Sequence, residues 1–104
     1  MKAIFVHLSG SKRGKTESFT DSKISVGTDP SCNLNFDQSV DKSTSSFHAE
    51  INLQECDYVL KDLDSDKGTF VNNRQIKEVV IHDGDLIEYG DNGPRARFRI
   101  KTEE

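Results

Sequence analysis

The sequence predicts an all-β fold, a sandwich of short strands, and three observations carry that prediction. Apolar residues recur with a period of two in group after group. Turn-forming residues separate those groups at short intervals. No longer segment shows a 3.6-residue apolar period free of such breakers, so helix is expected to be nearly absent.

The alternation runs the length of the chain. Ile4, Val6 and Leu8 form the first row, followed by Ile24 with Val26, Leu34 with Phe36, and Ala49, Ile51 and Leu53. Tyr58 with Leu60, then Ala96, Phe98 and Ile100, complete it. A period of two places each set on one sheet face and turns Glu50, Asn52, Arg97 and Arg99 the other way. Reversals are expected at Thr20-Asp21-Ser22, Asp29-Pro30-Ser31, Gln54-Glu55, Asn72-Asn73, Asp83-Gly84 and Asn92-Gly93-Pro94, where residues of positive or fixed φ collect. The stretch from Asp37 to Ser46 is almost wholly polar and reads as a functional or mobile loop.

A chain of 104 residues, 33% hydrophobic and 31% charged, suits one domain with one ordinary core, spanning 1–104 with its core at about 2–101. Fourteen basic against eighteen acidic residues give a net charge of −4, which argues against nucleic acid as a partner. Two cysteines, Cys32 and Cys56, make no disulfide framework and fit half-buried residues of a reducing cytosol. No apolar run is long enough to span a bilayer, and His7 interrupts the short apolar start. A soluble cytoplasmic protein with no membrane partner is expected.

Three patterns look like chemistry. Gly10-Ser11-Lys12-Arg13-Gly14-Lys15-Thr16 resembles a phosphate-binding P-loop but is one residue short between its glycines; its plainer reading is a basic hairpin turn. Asp62-Leu63-Asp64-Ser65-Asp66-Lys67-Gly68 resembles the start of a calcium loop, with its glycine one place late and Asn73 where a bidentate glutamate belongs. His7, His48 and His82 lie far apart, without metal-ligand spacing to the cysteines, and no serine sits in a nucleophile elbow. Neither a metal site nor a cofactor is expected. Arg95, Arg97, Arg99 and Lys101 read as a solvated outer face.

Four segments in register carry more information. They are Ile24-Ser25-Val26-Gly27 with the turn and strand that follow, Ser45-Ser46-Phe47-His48-Ala49, Leu63 through Asn73, and Asp83 through Gly90. In this order and spacing the chain resembles a forkhead-associated (FHA) domain from roughly Lys2 to Lys101. The resemblance implies a β-sandwich of about eleven strands, of the FHA/SMAD-like kind, that binds protein or phosphoprotein partners and is not an enzyme. It implies a phosphothreonine site made by loops at one end, with Gly27, His48 and Gly68 as structural residues and Ser45 donating its hydroxyl to phosphate. Ser45 also has a plainer reading, as a loop hydroxyl bonding its own backbone.

The departures fall on the same site. Thr28 stands where the family carries its phosphate-gripping arginine, Ser46 where it has asparagine, and Asp66-Lys67 in place of a Ser/Thr-Asn pair. A phosphate dianion calls for charge-assisted donors, a guanidinium above all. Across residues 28–31, 37–46 and 62–67 the chain offers six aspartates against Lys42 and Lys67. The site thus reads as degenerate, with Lys67 as a partial, forkless substitute. Three functions stay open: an interaction module without strict phosphate dependence, a weak phosphothreonine reader using Ser45, Ser46 and Lys67, and a nucleotide enzyme resting on the near P-loop alone.

Overall fold

A computed structural model describes residues 1–102, and these form eleven β-strands and no helix. In chain order they are β1 (Lys2–His7), β2 (Thr16–Phe19), β3 (Lys23–Gly27), β4 (Leu34–Asn35), β5 (Ala49–Gln54), β6 (Asp57–Asp62), β7 (Thr69–Val71), β8 (Arg74–Ile76), β9 (Glu78–Ile81), β10 (Leu86–Tyr89) and β11 (Arg95–Lys101). The first sheet runs β2-β1-β11-β10-β7-β8 and the second β4-β3-β5-β6-β9. Every pairing is antiparallel except β3 with β4. The chain changes sheet between β8 and β9 at Lys77, whose carbonyl accepts from the Asp62 N–H at 2.8 Å.

The two inner faces supply the core. Ile24, Val26, Ile51 and Leu60 come from the second sheet, and Phe5, Ile87, Ala96 and Phe98 from the first. Phe5 and Phe98 are cross-strand partners with ring centroids 5.5 Å apart, and Tyr58 reaches across to Phe98 edge-on at 5.5 Å. Each such side chain, fully buried, contributes about 1.5–3 kcal/mol.

Strand β1 departs from the alternation read in the sequence. Its inner row is Ala3, Phe5 and His7, while Ile4 and Val6 are half-buried on the outer face and Leu8 is 44% exposed. Both parities of this strand are largely apolar, and the larger ring of Phe5 takes the core. Ile4 and Val6 lie opposite Arg99 and Arg97 in register, and those arginines line the outer face as expected. Arg97 donates to the Gly84 carbonyl at 2.9 Å and Arg99 to the Asp83 carboxylate at 3.1 Å. Cys32 is buried and Cys56 exposed in the β5–β6 turn, where half-burial was expected of both.

Residues 8–15 form the basic hairpin between β1 and β2, closed by the Gly14 N–H on the His7 carbonyl at 3.0 Å. A strand follows it and not a helix, so the backbone cradle of a P-loop does not form. Asp62, first residue of the calcium-like run, is buried and accepts from the Ser65 and Thr69 hydroxyls at 2.5 and 2.7 Å. Its carboxylate braces a loop.

Candidate functional site

The loops after β3, after β4 and after β6 converge at one end of the sandwich, and Gly27 decides how closely. A Cβ at Gly27 would overlap the Ser46 carbonyl, so only glycine lets the end of β3 lie against this loop. The next two N–H groups, of Thr28 and Asp29, donate to the Ser45 and Ser46 carbonyls at 3.2 and 3.1 Å. Thr28 is thereby fixed beside Ser45 and Ser46.

His48, fully buried just before β5, ties the second loop to the third. Its Nδ1 accepts from the Ser45 N–H at 3.0 Å, which leaves Nε2 to donate to the Gly68 carbonyl at 2.8 Å. Burial holds its pKa below the ordinary histidine value against a smaller opposing pull from that carbonyl, so the ring is neutral. Gly68 has φ +84°, a left-handed conformation, and its carbonyl also receives the Gly90 N–H at 2.9 Å. The Ser45 hydroxyl accepts the Asp66 N–H at 3.2 Å. That bond knits the two loops and leaves the hydroxyl hydrogen available to a ligand.

The long polar loop is stapled rather than loose. Thr44 and Ser43 hydroxyls donate to the Tyr89 and Asp91 carbonyls, each at 2.9 Å, and the buried Asp41 carboxylate accepts the Ser11 N–H at 3.0 Å. Between the loops opens a cleft of about 580 Å³ lined by Thr28, Gln38, Lys42, Thr44, Ser45, Ser46, Phe47, Asp64 and Asp66.

A model of the FHA domain family matches residues 24–90, nearly two thirds of the chain and every segment that builds this cleft. The chain belongs to the FHA family. The FHA domain of a hypothetical protein from Arabidopsis thaliana superposes with a TM-score of 0.88 at 22% identity, covering 99% of this chain and 88% of that one. The FHA domain of the CT664 protein of Chlamydia trachomatis gives 0.83 at 19% identity, over 98% and 100%. An FHA domain solved for its phosphothreonine-dependent interactions gives 0.84 at 25% identity, over 99% and 100%. No curated protein matches the chain significantly. FHA domains are protein-interaction modules that depend on phosphothreonine, and not catalysts.

Within this FHA scaffold, Thr28, Ser45, Ser46 and Asp66 share the cleft, with Gly27, His48 and Gly68 behind it. Lys67 is exposed and is not among the lining residues. Lys42, Gln38, Phe47 and Asp64 line the cleft although the motifs do not single them out. Phe47 sits inside the Ser45–His48 motif and is 54% exposed, a cue available from the sequence as an aromatic within a polar loop.

The excess of aspartates along the sequence is also redistributed by the fold. Asp29 caps the Ser31 N–H at 2.9 Å, Asp37 caps the Ser39 N–H at 2.9 Å, and Asp41 and Asp62 are buried braces. Their caps hold the Asp29 and Asp37 carboxyls below the usual range, chiefly through the Ser31 and Ser39 hydroxyls, so both stay ionised. Asp64 and Asp66 alone of the six line the cleft, facing one cation, Lys42.

Proposed function

We infer that this FHA domain is a protein-interaction module that takes a segment of a partner protein into the loop-end cleft without strict dependence on phosphate. One observation carries the reading: the cleft offers hydroxyls and an exposed aromatic, Phe47, but no guanidinium, and Asp64 with Asp66 outweighs Lys42. Hydroxyl donors and an apolar anchor suit a neutral or basic segment, whereas a dianion in this field meets net repulsion. Val40, Phe47 and Leu63, three of the large exposed apolar side chains, all lie on the loops of this end, which favours it as the contact surface. The free thiols of Cys32 and Cys56 fit a reducing compartment, and we place the module in cytoplasmic signalling.

The alternative is a weak phosphothreonine reader using Ser45, Ser46 and Lys67, favoured by the likeness to a phosphothreonine-dependent FHA domain. Matched phosphorylated and unphosphorylated peptide libraries, titrated in physiological salt, separate the two. The module reading expects the two forms to bind within about tenfold of each other, or 1.4 kcal/mol. Submicromolar binding of the phosphorylated form with its twin ignored would overturn it.

A further inference from the structure

The sequence motif that the FHA reading leaves unexplained is the basic hairpin between β1 and β2, and the fold brings it to the candidate site. A second cleft, about 450 Å³, is lined by Ser11, Lys12, Lys15, Thr28, Asn35, Phe36, Asp37 and Gln38. Thr28 and Gln38 line both clefts and so form the wall between them. The hairpin is locked in place: the Ser11 N–H bonds Asp41 at 3.0 Å, and the Ser11 hydroxyl accepts the Asp37 N–H at 3.2 Å.

Lys12 is no loose surface lysine. Its side chain is 17% exposed, its Nζ lies 3.0 Å from the Glu17 carboxylate and 6.0 Å from the centre of the Phe36 ring. Glu17 is held in turn by the buried His7 at 2.9 Å. Lys15 and, at the hairpin tip, Arg13 are exposed and make no ion pair among the described residues. The hairpin side thus carries Lys12, Arg13 and Lys15 against Glu17 and Asp37, while the loop side carries Lys42 against Asp64 and Asp66. The Thr28–Gln38 wall divides a basic half from an acidic half.

We propose that the hairpin cleft is an anion subsite, which seats a phosphate or carboxylate of the partner segment on Lys12 and Lys15 while the rest of the segment lies in the loop-end cleft. It rests on the interaction-module reading and adds to it the polarity of the ligand: an anionic side chain toward the hairpin, neutral or basic residues toward Asp64 and Asp66. Lys12, held by Glu17, and the unpaired Lys15 lie beside the Thr28 hydroxyl and the Gln38 amide, and ammonium groups next to such donors are a phosphate- or carboxylate-binding set, as point charges without a fork.

The test uses the whole chain and ¹H–¹⁵N correlation spectra, first with inorganic phosphate as probe. Saturable shifts are expected at the amides of residues 11–15 and Thr28, weakened about tenfold or more by Lys15→Ala. Asp37→Asn, which keeps an acceptor for the Ser39 cap, should tighten the site severalfold. Shifts confined to residues 42–47, no shifts, or indifference to Lys15→Ala would overturn the subsite. Three degenerate peptides with phosphothreonine, glutamate or threonine at the centre then identify the source of the anion. Unphosphorylated peptide that still shifts Phe47 in a chain deaf to phosphate would sink the subsite and leave the module. Phosphate binding with every peptide ignored would do the reverse.

Discussion

Two sets of side chains meet at the loop end and differ in almost every physical respect. Behind the cleft, Gly27, His48, Asp62 and Thr69 are buried; His48 bonds the Ser45 N–H and the Gly68 carbonyl, and Asp62 accepts from the Thr69 and Ser65 hydroxyls. At the rim, Ser46, Asp66 and Lys67 are exposed and Thr28 half-exposed, with no side-chain bond between them. Gly27 and His48 are positions that the FHA resemblance marks as structural, whereas Thr28, Ser46, Asp66 and Lys67 are those where the sequence departs from the family residues. Buried braces hold the loops in place, while the exposed rim residues bear on the charge a ligand meets.

The largest effect expected from breaking this contrast is at Gly27. Gly27→Val drives a side chain into the Ser46 backbone, and a loss of about 4 kcal/mol or outright unfolding is expected in urea titration. Gly68→Val should cost about 1–3 kcal/mol, since its strain is the positive φ and the nearest obstacle is the movable end of Gln75. Equal stability of the two variants would show that close approach at Gly27 is not what spaces the loops.

His48→Ala comes next, at about 2–4 kcal/mol, because it strips two bonds, leaving the Ser45 N–H unpaired and the Gly68 carbonyl with the Gly90 N–H alone. The same ring sets a pH dependence. Burial lowers the folded-state pKa of His48 and of His7, so the unfolded chain takes up protons first as pH falls. Stability should be full above the unfolded value of about 6.5 and decline as pH drops through it toward the folded values. Melting temperatures followed from pH 7.5 to 5 check this, and a flat profile would contradict it.

The rim gives the smallest stability effects. Asp66→Asn and Lys67→Ala should each change stability by less than about 0.5 kcal/mol, since neither side chain holds a bond in the fold. A loss above 1 kcal/mol would erase the distinction between rim and brace.

This division also explains what was legible beforehand. The sandwich follows from alternation and turn spacing, which are local signals, whereas the convergence of the loops and the cleft-lining Thr28, Ser45, Ser46 and Asp66 were implied only by the FHA resemblance that four motifs in register carry. The inward face of β1 was not legible, since Phe5 and Ile4 are both apolar and a period of two does not say which parity is packed. Charge along the chain misled in the same way. Asp29, Asp37, Asp41 and Asp62 look like a repulsive rim in one dimension, yet each is turned to a serine or backbone N–H. Lys67 follows the motif and Lys42 does not, but Lys42 is the one lining the cleft, because side-chain direction in an irregular loop has no period.

The central claim is that an intact FHA scaffold surrounds a site lacking its phosphate grip, and Thr28→Arg tests it most directly. The variant places a guanidinium beside Ser45 and Ser46 without disturbing the brace behind them. A charge-assisted hydrogen bond contributes about 1.5–3 kcal/mol, so phosphothreonine peptides should bind about ten- to a hundredfold tighter than to the native chain by fluorescence polarisation. Thr28→Lys should recover far less, since an ammonium cannot hold two phosphate oxygens in a planar fork. A folded Thr28→Arg protein that binds phosphothreonine peptides no better than the native chain would contradict the claim.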